Sequence, residues 1–235
     1  MRFVPFASSS RGNCYLVDDG QTKVLLECGL SLKEIQRHLQ HRLSDVAGML
    51  LTHEHQDHAK AVTDLARRGI DCYMTEGTAK ALGASGHRIK LVEPRRQFSL
   101  GTLEVLPFET QHDAAAPVGY LIYSRTTNDK LLYATDTFYI RYKFKGLTII
   151  AVECNYSRDI LLENVAKDLV PEAVRDRLWT SHFSLENVKE FLRANDLSNV
   201  QEIWLIHLSD SNSDAERFKR EIQVLTGRPV YIAGE

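Results

Sequence analysis

Six consecutive positions, His53-Glu54-His55-Gln56-Asp57-His58, carry three imidazoles and an aspartate directly after the short apolar run Val46-Ala47-Gly48-Met49-Leu50-Leu51-Thr52. That run is bounded by polar residues and too short for a buried helix, so it predicts a buried strand. Downstream, Ala61, Leu65 and Ala66 recur at helical spacing and Gly69 supplies a stop signal, which predicts a helix over the segment from Asp57 to Gly69. Ligand-capable side chains therefore gather where a buried strand ends and a helix begins. His53 and His55, two apart, can reach one ion from a tight loop. Asp57 and His58, about one turn further on, can serve a second. Neutral imidazole nitrogens and carboxylate oxygens suit zinc, manganese or iron better than soft metals. A zincin HExxH helix is excluded here, because Asp57 stands where the second histidine would be.

The surrounding pattern is α/β. Cys14 to Val17 and Lys23 to Glu27 read as two strands joined by Asp18-Asp19-Gly20. After Ser31, a predicted N-cap, Leu32, Ile35 and Leu39 fall at helical intervals. From Ile89 to Val152 the chain reads mostly as strands, and after Cys154 mostly as helices, before the strand-like EIWLIHL, a helix over Ala215 to Leu225 and a final PVYIA. No internal repeat or low-complexity linker interrupts this alternation. A layered α/β protein with a helix-covered sheet is expected, as a single domain over residues 1–235.

Composition sets outer bounds. With 235 residues and 43% apolar content the chain can bury a substantial core. A formal net charge of -2 announces neither a nucleic-acid field nor a membrane-surface patch, and leaves both questions open. Cys14, Cys28, Cys72 and Cys154 form no CxxC pair and give neither a zinc ribbon nor a disulfide framework, so reduced thiols are expected. No signal-like amino end and no membrane-length apolar run is present, which predicts a soluble, cytoplasmic protein with no membrane partner. The oligomeric state stays open, a homodimer included.

The THEHQDH string resembles the first metal motif of the metallo-β-lactamase fold superfamily. That resemblance implies an αββα four-layer sandwich holding one or two divalent metal ions at the edge of its sheets. It extends to strand ends further along: His112 in ETQHDAAAPVGY matches the superfamily's next histidine, Asp136 in LLYATDTFY its bridging aspartate, and His207 in EIWLIHLSDSN its last histidine. By this likeness His53, His55 and His112 hold one metal, Asp57, His58 and His207 the other, and Asp136 joins them. Zinc or manganese is expected, and iron fits the same donors.

Within the superfamily, His55 stands where flavodiiron oxidoreductases carry glutamate, which argues against redox chemistry. Asp136 takes a position often filled by cysteine in lactamases, which favours a hard metal pair suited to phosphate oxygens. Glu153 in VECN and His182 in WTSHFSLENV resemble the pair that ribonuclease Z-like phosphodiesterases place on the leaving-group side. The mechanism implied is attack on phosphorus by a metal-bridged hydroxide, with Asp57 in the catalytic set and His182, oriented by Glu153, protonating the leaving oxygen. Over nearly the whole chain the stretches SSSRGNCYLV, LLECGLS, LLTHEHQDH, HDAAAPVGY, LLYATDT, SHFSLENV and IWLIHLSDSN resemble the YycJ (WalJ)-type metallohydrolases, a branch regarded as DNA exonucleases. Glu27 replaces the usual aspartate of that pattern, Arg11 interrupts its Ser-Ser-Gly-Asn string, and the segment after Asp136 diverges.

In that divergent segment Arg141, Lys143 and Lys145 alternate with Tyr142 and Phe144, so an extended chain would put the three cations on one face. Two readings stay open: a row that tracks a nucleic-acid backbone, or an edge strand protected by charge. Two bound divalent ions would shift the formal balance from -2 to about +2, with the positive charge where a phosphate must sit. The function expected is therefore a metal-dependent nuclease acting on DNA from an end. Alternatives that remain are a phosphodiesterase for a cyclic nucleotide or sugar phosphate, an RNA-processing nuclease, a thioester or lactone hydrolase, and a non-catalytic metal-binding module.

Overall fold

Two sheets, of six and seven strands, form from the predicted alternation of strands and helices. In the computed structural model, which describes residues 1–234, the chain groups into two compact units. One comprises Met1–Glu109, Ala114–Asp129 and Gly234; the other Thr110–Asp113 and Lys130–Ala233. No helix among the described residues is long and apolar enough to cross a membrane.

The first unit contains the six-stranded sheet, ordered as in the chain: β1 (Arg2–Ser9), β2 (Gly12–Asp18), β3 (Lys23–Leu26), β4 (Val46–Leu50), β5 (Cys72–Met74) and β6 (Ile89–Leu91). β1 to β3 pair antiparallel and β3 to β6 parallel. Its helices are α1 (Leu32–His38), α2 (Gln56–Ala59), α3 (Val62–Arg67) and α4 (Glu76–Leu82). Ile35, Leu65 and Ala79 from these helices pack with Cys14, Leu25, Met49 and Cys72 from the strands into one apolar cluster. The Ser31 cap forms as a capping box, its side chain accepting from the Glu34 N–H while the Glu34 carboxylate accepts from the Ser31 N–H at 2.9 Å. The single helix expected from Asp57 onward is instead two short ones, α2 and α3. The Ala61 N–H donates to the Cys28 carbonyl at 2.9 Å, so it is taken out of the helical ladder. β1 was not foreseen because Pro5 breaks its alternation; the strand lies at the sheet edge and shifts register between Pro5 and Ala7.

The same unit contains the antiparallel run β7 (Phe98–Leu100), β8 (Leu103–Glu109) and β9 (Val118–Ser124). Asp19, in the β2–β3 turn, fastens this run to the first sheet. Its buried carboxylate accepts from Thr102 Oγ1 at 2.6 Å, Ser124 Oγ at 2.7 Å, and the Thr22 and Gln21 N–H groups at 2.7 and 3.0 Å.

The second unit holds a parallel run, β10 (Lys130–Ala134), β11 (Ile149–Glu153), β12 (Glu202–Ile206) and β13 (Val230–Ile232). Its helices are α5 (Arg158–Ala166), α6 (Glu172–Ser181), α7 (Leu185–Ala194) and α8 (Ala215–Thr226). α7 and α8 are amphipathic, burying Leu185, Val188, Phe191 and Leu192, and Phe218 and Ile222, respectively. All four cysteines are buried and free, as the sequence predicted.

Burial opposes ionisation of Asp19, but its four donors outweigh that and hold its carboxyl at about 2, below its ordinary 3.8. The resulting stabilisation, on the order of 2 kcal/mol, is complete above about pH 4 and is lost as pH falls toward 2. Asp19→Asn is therefore expected to lower stability by roughly 2 kcal/mol at neutral pH. Urea midpoints for variant and wild type should converge as the pH approaches 2.

Candidate metal centre

The first unit supplies His53, His55, Asp57 and His58, which follow β4 and enter α2. The His53 ring centroid lies 4.6 Å from that of His55, edge-on at 82°, and 4.3 Å from that of His58. His53 Nδ1 lies 2.9 Å from Thr52 Oγ1.

Backbone from β2 and β3 shapes this loop. The Cys28 N–H donates to the His58 carbonyl at 2.7 Å, and the Gly29 N–H to the Asn13 carbonyl at 2.8 Å. Asn13 Nδ2 lies 3.1 Å from His58 Nε2 and 3.4 Å from Asp57 Oδ2, and its Oδ1 accepts from Tyr15 at 3.0 Å. Glu27, noted in the sequence only as a departure from a pattern, leaves β3 with φ 61°. Its buried Oε2 lies 3.6 Å from His58 Nδ1 and accepts from the Thr52 N–H at 3.4 Å.

The second unit supplies His112, Asp136, Glu153, His182 and His207. Asp136 follows β10 and His207 follows β12, both in the left-handed region with φ 47° and 53°. Asp136, Glu153, His182 and His207 each offer a ligand atom within 4.8 Å of the others. The two Asp136 oxygens face different partners: Oδ1 is 3.3 Å from His207 Nδ1, and Oδ2 is 3.5 Å from His112 Nε2. His112 donates from Nδ1 to the Ser181 carbonyl at 2.9 Å, which leaves Nε2 as the lone-pair nitrogen. Burial holds the His112 imidazole below its ordinary pKa despite the nearby Asp136 carboxylate, so it stays neutral.

Glu153, fully buried at the end of β11, has four neighbours that can donate. Oε1 faces His182 Nδ1 at 2.6 Å and His207 Nδ1 at 3.0 Å, while Oε2 accepts from the Thr137 and Phe183 N–H groups at 3.1 Å each. Burial disfavours the charged His182 ring, but Glu153 beside it more than offsets this and raises its pKa. Burial likewise opposes a charged Glu153; the His182 charge and the imidazole hydrogen bonds hold its carboxyl below the ordinary range.

Arg141, Lys143 and Lys145 are exposed, whereas Tyr142 is half-buried and Phe144 buried, so the predicted alternation is present. They lie in irregular backbone, and the edge-strand reading is corrected. The Phe144 N–H donates to Asn195 Oδ1 at 2.8 Å instead of entering a ladder.

A two-sheet α/β fold with histidines and carboxylates at its strand ends defines the metallo-β-lactamase class of metal-dependent hydrolases. The chain belongs to the β-lactamase superfamily: residues 22–208 match the model described as "Beta-lactamase superfamily domain". It is 28% identical to exodeoxyribonuclease YycJ of Bacillus anthracis over 249 aligned positions, covering 100% of this chain and 92% of that protein. Among solved structures it is similar to the metallo-beta-lactamase fold protein YhfI of Bacillus subtilis, with TM-score 0.72 and 13% identity over 98% of this chain and 95% of that one. It is also similar to Zn(2+)-bound PqqB of Methylobacterium extorquens, with TM-score 0.71 and 14% identity over 100% and 99%.

The donor chemistry fits divalent ions. Imidazoles and carboxylates dominate both clusters, and the cysteines, whose thiols burial pushes up in pKa, offer no thiolate. Asn13 and the Ser181 carbonyl escaped the site reading from sequence; Asn13 lay within a matching stretch, but a backbone carbonyl leaves no sequence signal.

A Cβ on Gly29 would overlap the Asp57 carbonyl outright and come within 2.7 Å of the Asn13 nitrogen. Gly29→Ala is therefore expected to displace the Asp57–His58 backbone and weaken divalent-cation affinity by roughly 10–100-fold. Calorimetric titration with zinc, beside circular dichroism to confirm folding, measures this.

Proposed function

We propose that the chain is a dinuclear, metal-dependent phosphodiesterase that shortens nucleic acid from an end, with DNA as its substrate. In this reading residues 1–235 act as one functional domain. His53, His55 and His112 would hold one cation, Asp57, His58 and His207 the other, and Asp136 would be shared. The opposed partners of the two Asp136 oxygens, His207 and His112, support the last assignment. Zinc or manganese fits these donors, as does iron. Bound cations would supply Lewis acidity toward a phosphoryl oxygen and lower the pKa of an attacking water.

The observation that carries the reading is the short, buried contact between His182 Nδ1 and Glu153 Oε1, at 2.6 Å. Phosphodiester cleavage leaves an alkoxide-like oxygen that needs a proton. Glu153 fixes the proton on Nδ1 and favours the imidazolium, so Nε2 carries the proton that can be delivered. Glu153 keeps its charge and holds the ring in one orientation, and Asp57 belongs to the catalytic set as a ligand on the attack side. The name of the Bacillus anthracis relative, an exodeoxyribonuclease, supports DNA as the polymer. Four free, buried cysteines are consistent with a reducing cytoplasmic setting.

The row Arg141, Lys143 and Lys145 would follow the phosphate backbone. Its footing supports this role: Phe144 packs near Phe191 of α7, with ring centroids 6.5 Å apart, and Asn187 Nδ2 donates to the Phe138 carbonyl at 3.0 Å. Cations on an anchored segment give up less freedom on binding than cations on a loose one.

End-labelled single- and double-stranded DNA and RNA, offered to metal-stripped protein reloaded with manganese or zinc, test the reading. Stepwise shortening of DNA is expected, abolished in Asp57→Ala, with kcat reduced by about 10²–10⁴ in His182→Ala. If no polymer is cleaved with both metals verified in place, the substrate is a small phosphodiester such as a cyclic nucleotide. For the row, replacing Lys143 and Lys145 together by alanine should reduce the slope of log affinity against log salt by about 1.4 on single strands. An unchanged slope would assign the row to the solvated surface.

A further inference from the structure

α6 is an unusual helix for its position. It turns only Leu178 and Ser181 toward the protein to any extent beyond Arg175, and the rest of its residues are exposed. Yet its carboxyl end is held firmly. The Ser181 carbonyl accepts from His112, Arg177 Nε lies 3.2 Å from Asp113 Oδ2, and His182, the residue that caps the helix, is fixed by Glu153. A helix that buries so little depends for its order on these attachments and on Leu178, which packs against Tyr156, Leu161 and Val170.

On this helix Trp179 stands one turn before His182 and is 42% exposed. Tryptophan has the largest side chain to hide, and open exposure of an indole three residues before His182 needs a reason. The ring is braced: the Arg175 guanidinium, at i–4, lies over it at 5.1 Å from the centroid. Arg175 is itself held by Asp176 at 2.9 Å and Glu172 at 3.8 Å. The indole is therefore oriented before any ligand arrives, which lowers the ordering cost of binding.

We propose that Trp179, braced by Arg175, is a stacking platform for an unpaired nucleobase on the leaving-group side of the scissile phosphate, an inference that rests on the nucleic-acid reading above. A flat, polarisable ring with a guanidinium behind it accepts any base and discriminates against bases that are still paired. Its place one helical turn from the proton donor His182 sets the base close to the phosphate whose leaving oxygen is protonated. A second copy of the chain is the competing occupant. Such an interface needs a continuous apolar patch, whereas Trp179 shares its helix face with Arg175 and Asp176, and the other exposed apolar residues of this region, Leu162, Leu169 and Val174, lie on α5, the following connection and the start of α6.

The chain has two tryptophans, and Trp204 is stacked on Tyr231 at 4.9 Å, so indole fluorescence can report on Trp179. The zinc-loaded full-length protein is titrated with a short phosphorothioate oligothymidylate, which resists cleavage. Saturable quenching is expected, absent in Trp179→Phe, in which only Trp204 remains. By anisotropy of the labelled strand, Trp179→Ala should weaken binding about tenfold or more, Trp179→Phe should keep most of the affinity, and the alanine penalty should vanish on a matched abasic strand. Equal affinity of wild type and Trp179→Ala, or equal quenching by the abasic strand, overturns the platform. So does a change of oligomeric state in Trp179→Ala with oligonucleotide affinity intact, which assigns the face to a second copy. Base-dependent quenching without cleavage of any end-labelled polymer upholds the platform and removes the nuclease reading; cleavage with wild-type KM in Trp179→Ala does the reverse.

Discussion

Much of the second unit hangs on one buried carboxylate. Glu153 has no solvent exposure, and an isolated charge there would cost several kcal/mol. Four donor groups remove that cost, and each fixes a different piece of the site. Two are imidazoles, His182 and His207. The other two are backbone N–H groups of Thr137 and Phe183, the residues directly after Asp136 and His182. One side chain thus sets the orientation of two rings and the course of two loops. A glutamine could not replace it: its single oxygen accepts fewer bonds and its amide would face donors. The negative charge is also what keeps His182 able to hold a proton in a buried place, since burial alone would drive that ring neutral.

Local backbone strain does the aiming. Glu27, Asp136 and His207 each leave a strand in the left-handed region, a conformation that costs a non-glycine residue roughly 1–2 kcal/mol. In each case the strain turns a side chain that would otherwise follow the strand's alternation. The compensation is visible for each: Glu27 gains the Thr52 N–H and a place beside His58, His207 gains Glu153 and Asn155, and Asp136 gains Thr135 Oγ1 at 2.7 Å. At Gly29 the same need for closeness is met the other way, by omitting a side chain where the chain passes the Asp57 carbonyl.

These features explain what could be read from sequence and what could not. His53, His55, Asp57 and His58 were legible because ligand chemistry resides in side-chain identity and their spacing is local. His112, Asp136 and His207 came only through the resemblance to the superfamily, whose motifs fall at strand ends in that order; taken alone, each would pass for an ordinary loop or core residue. Asn13 was harder, since its role depends on a contact 44 positions away with Asp57. The Ser181 carbonyl and the left-handed residues leave no sequence trace, because backbone atoms and dihedral angles are set by tertiary context. The division of the helix after Asp57 has the same origin: propensity favoured one continuous helix, and the Cys28 carbonyl took the Ala61 N–H that would have continued it. Alternation in 141–145 survived without a ladder because a buried Phe144 suffices to orient its neighbours.

On the proposed nuclease reading, the second unit separates two kinds of contact with nucleic acid. Arg141, Lys143 and Lys145 offer charge without shape, and charge attracts any phosphate backbone in proportion to the counterions it displaces. Trp179 offers shape with little net charge around it, since Arg175 and Arg177 on α6 are each matched by a carboxylate. A chain with a formal charge of -2 cannot rely on its overall field to collect polyanions. Discrimination must then come from groups placed beside the chemistry. An indole held one turn from His182, the proposed proton donor, would make the reaction depend on a base being unstacked from its own duplex, so strand ends, where pairing frays first, would be engaged ahead of duplex interiors. End-directed action can arise in this way without a clamp or channel, from the cost of unpairing alone.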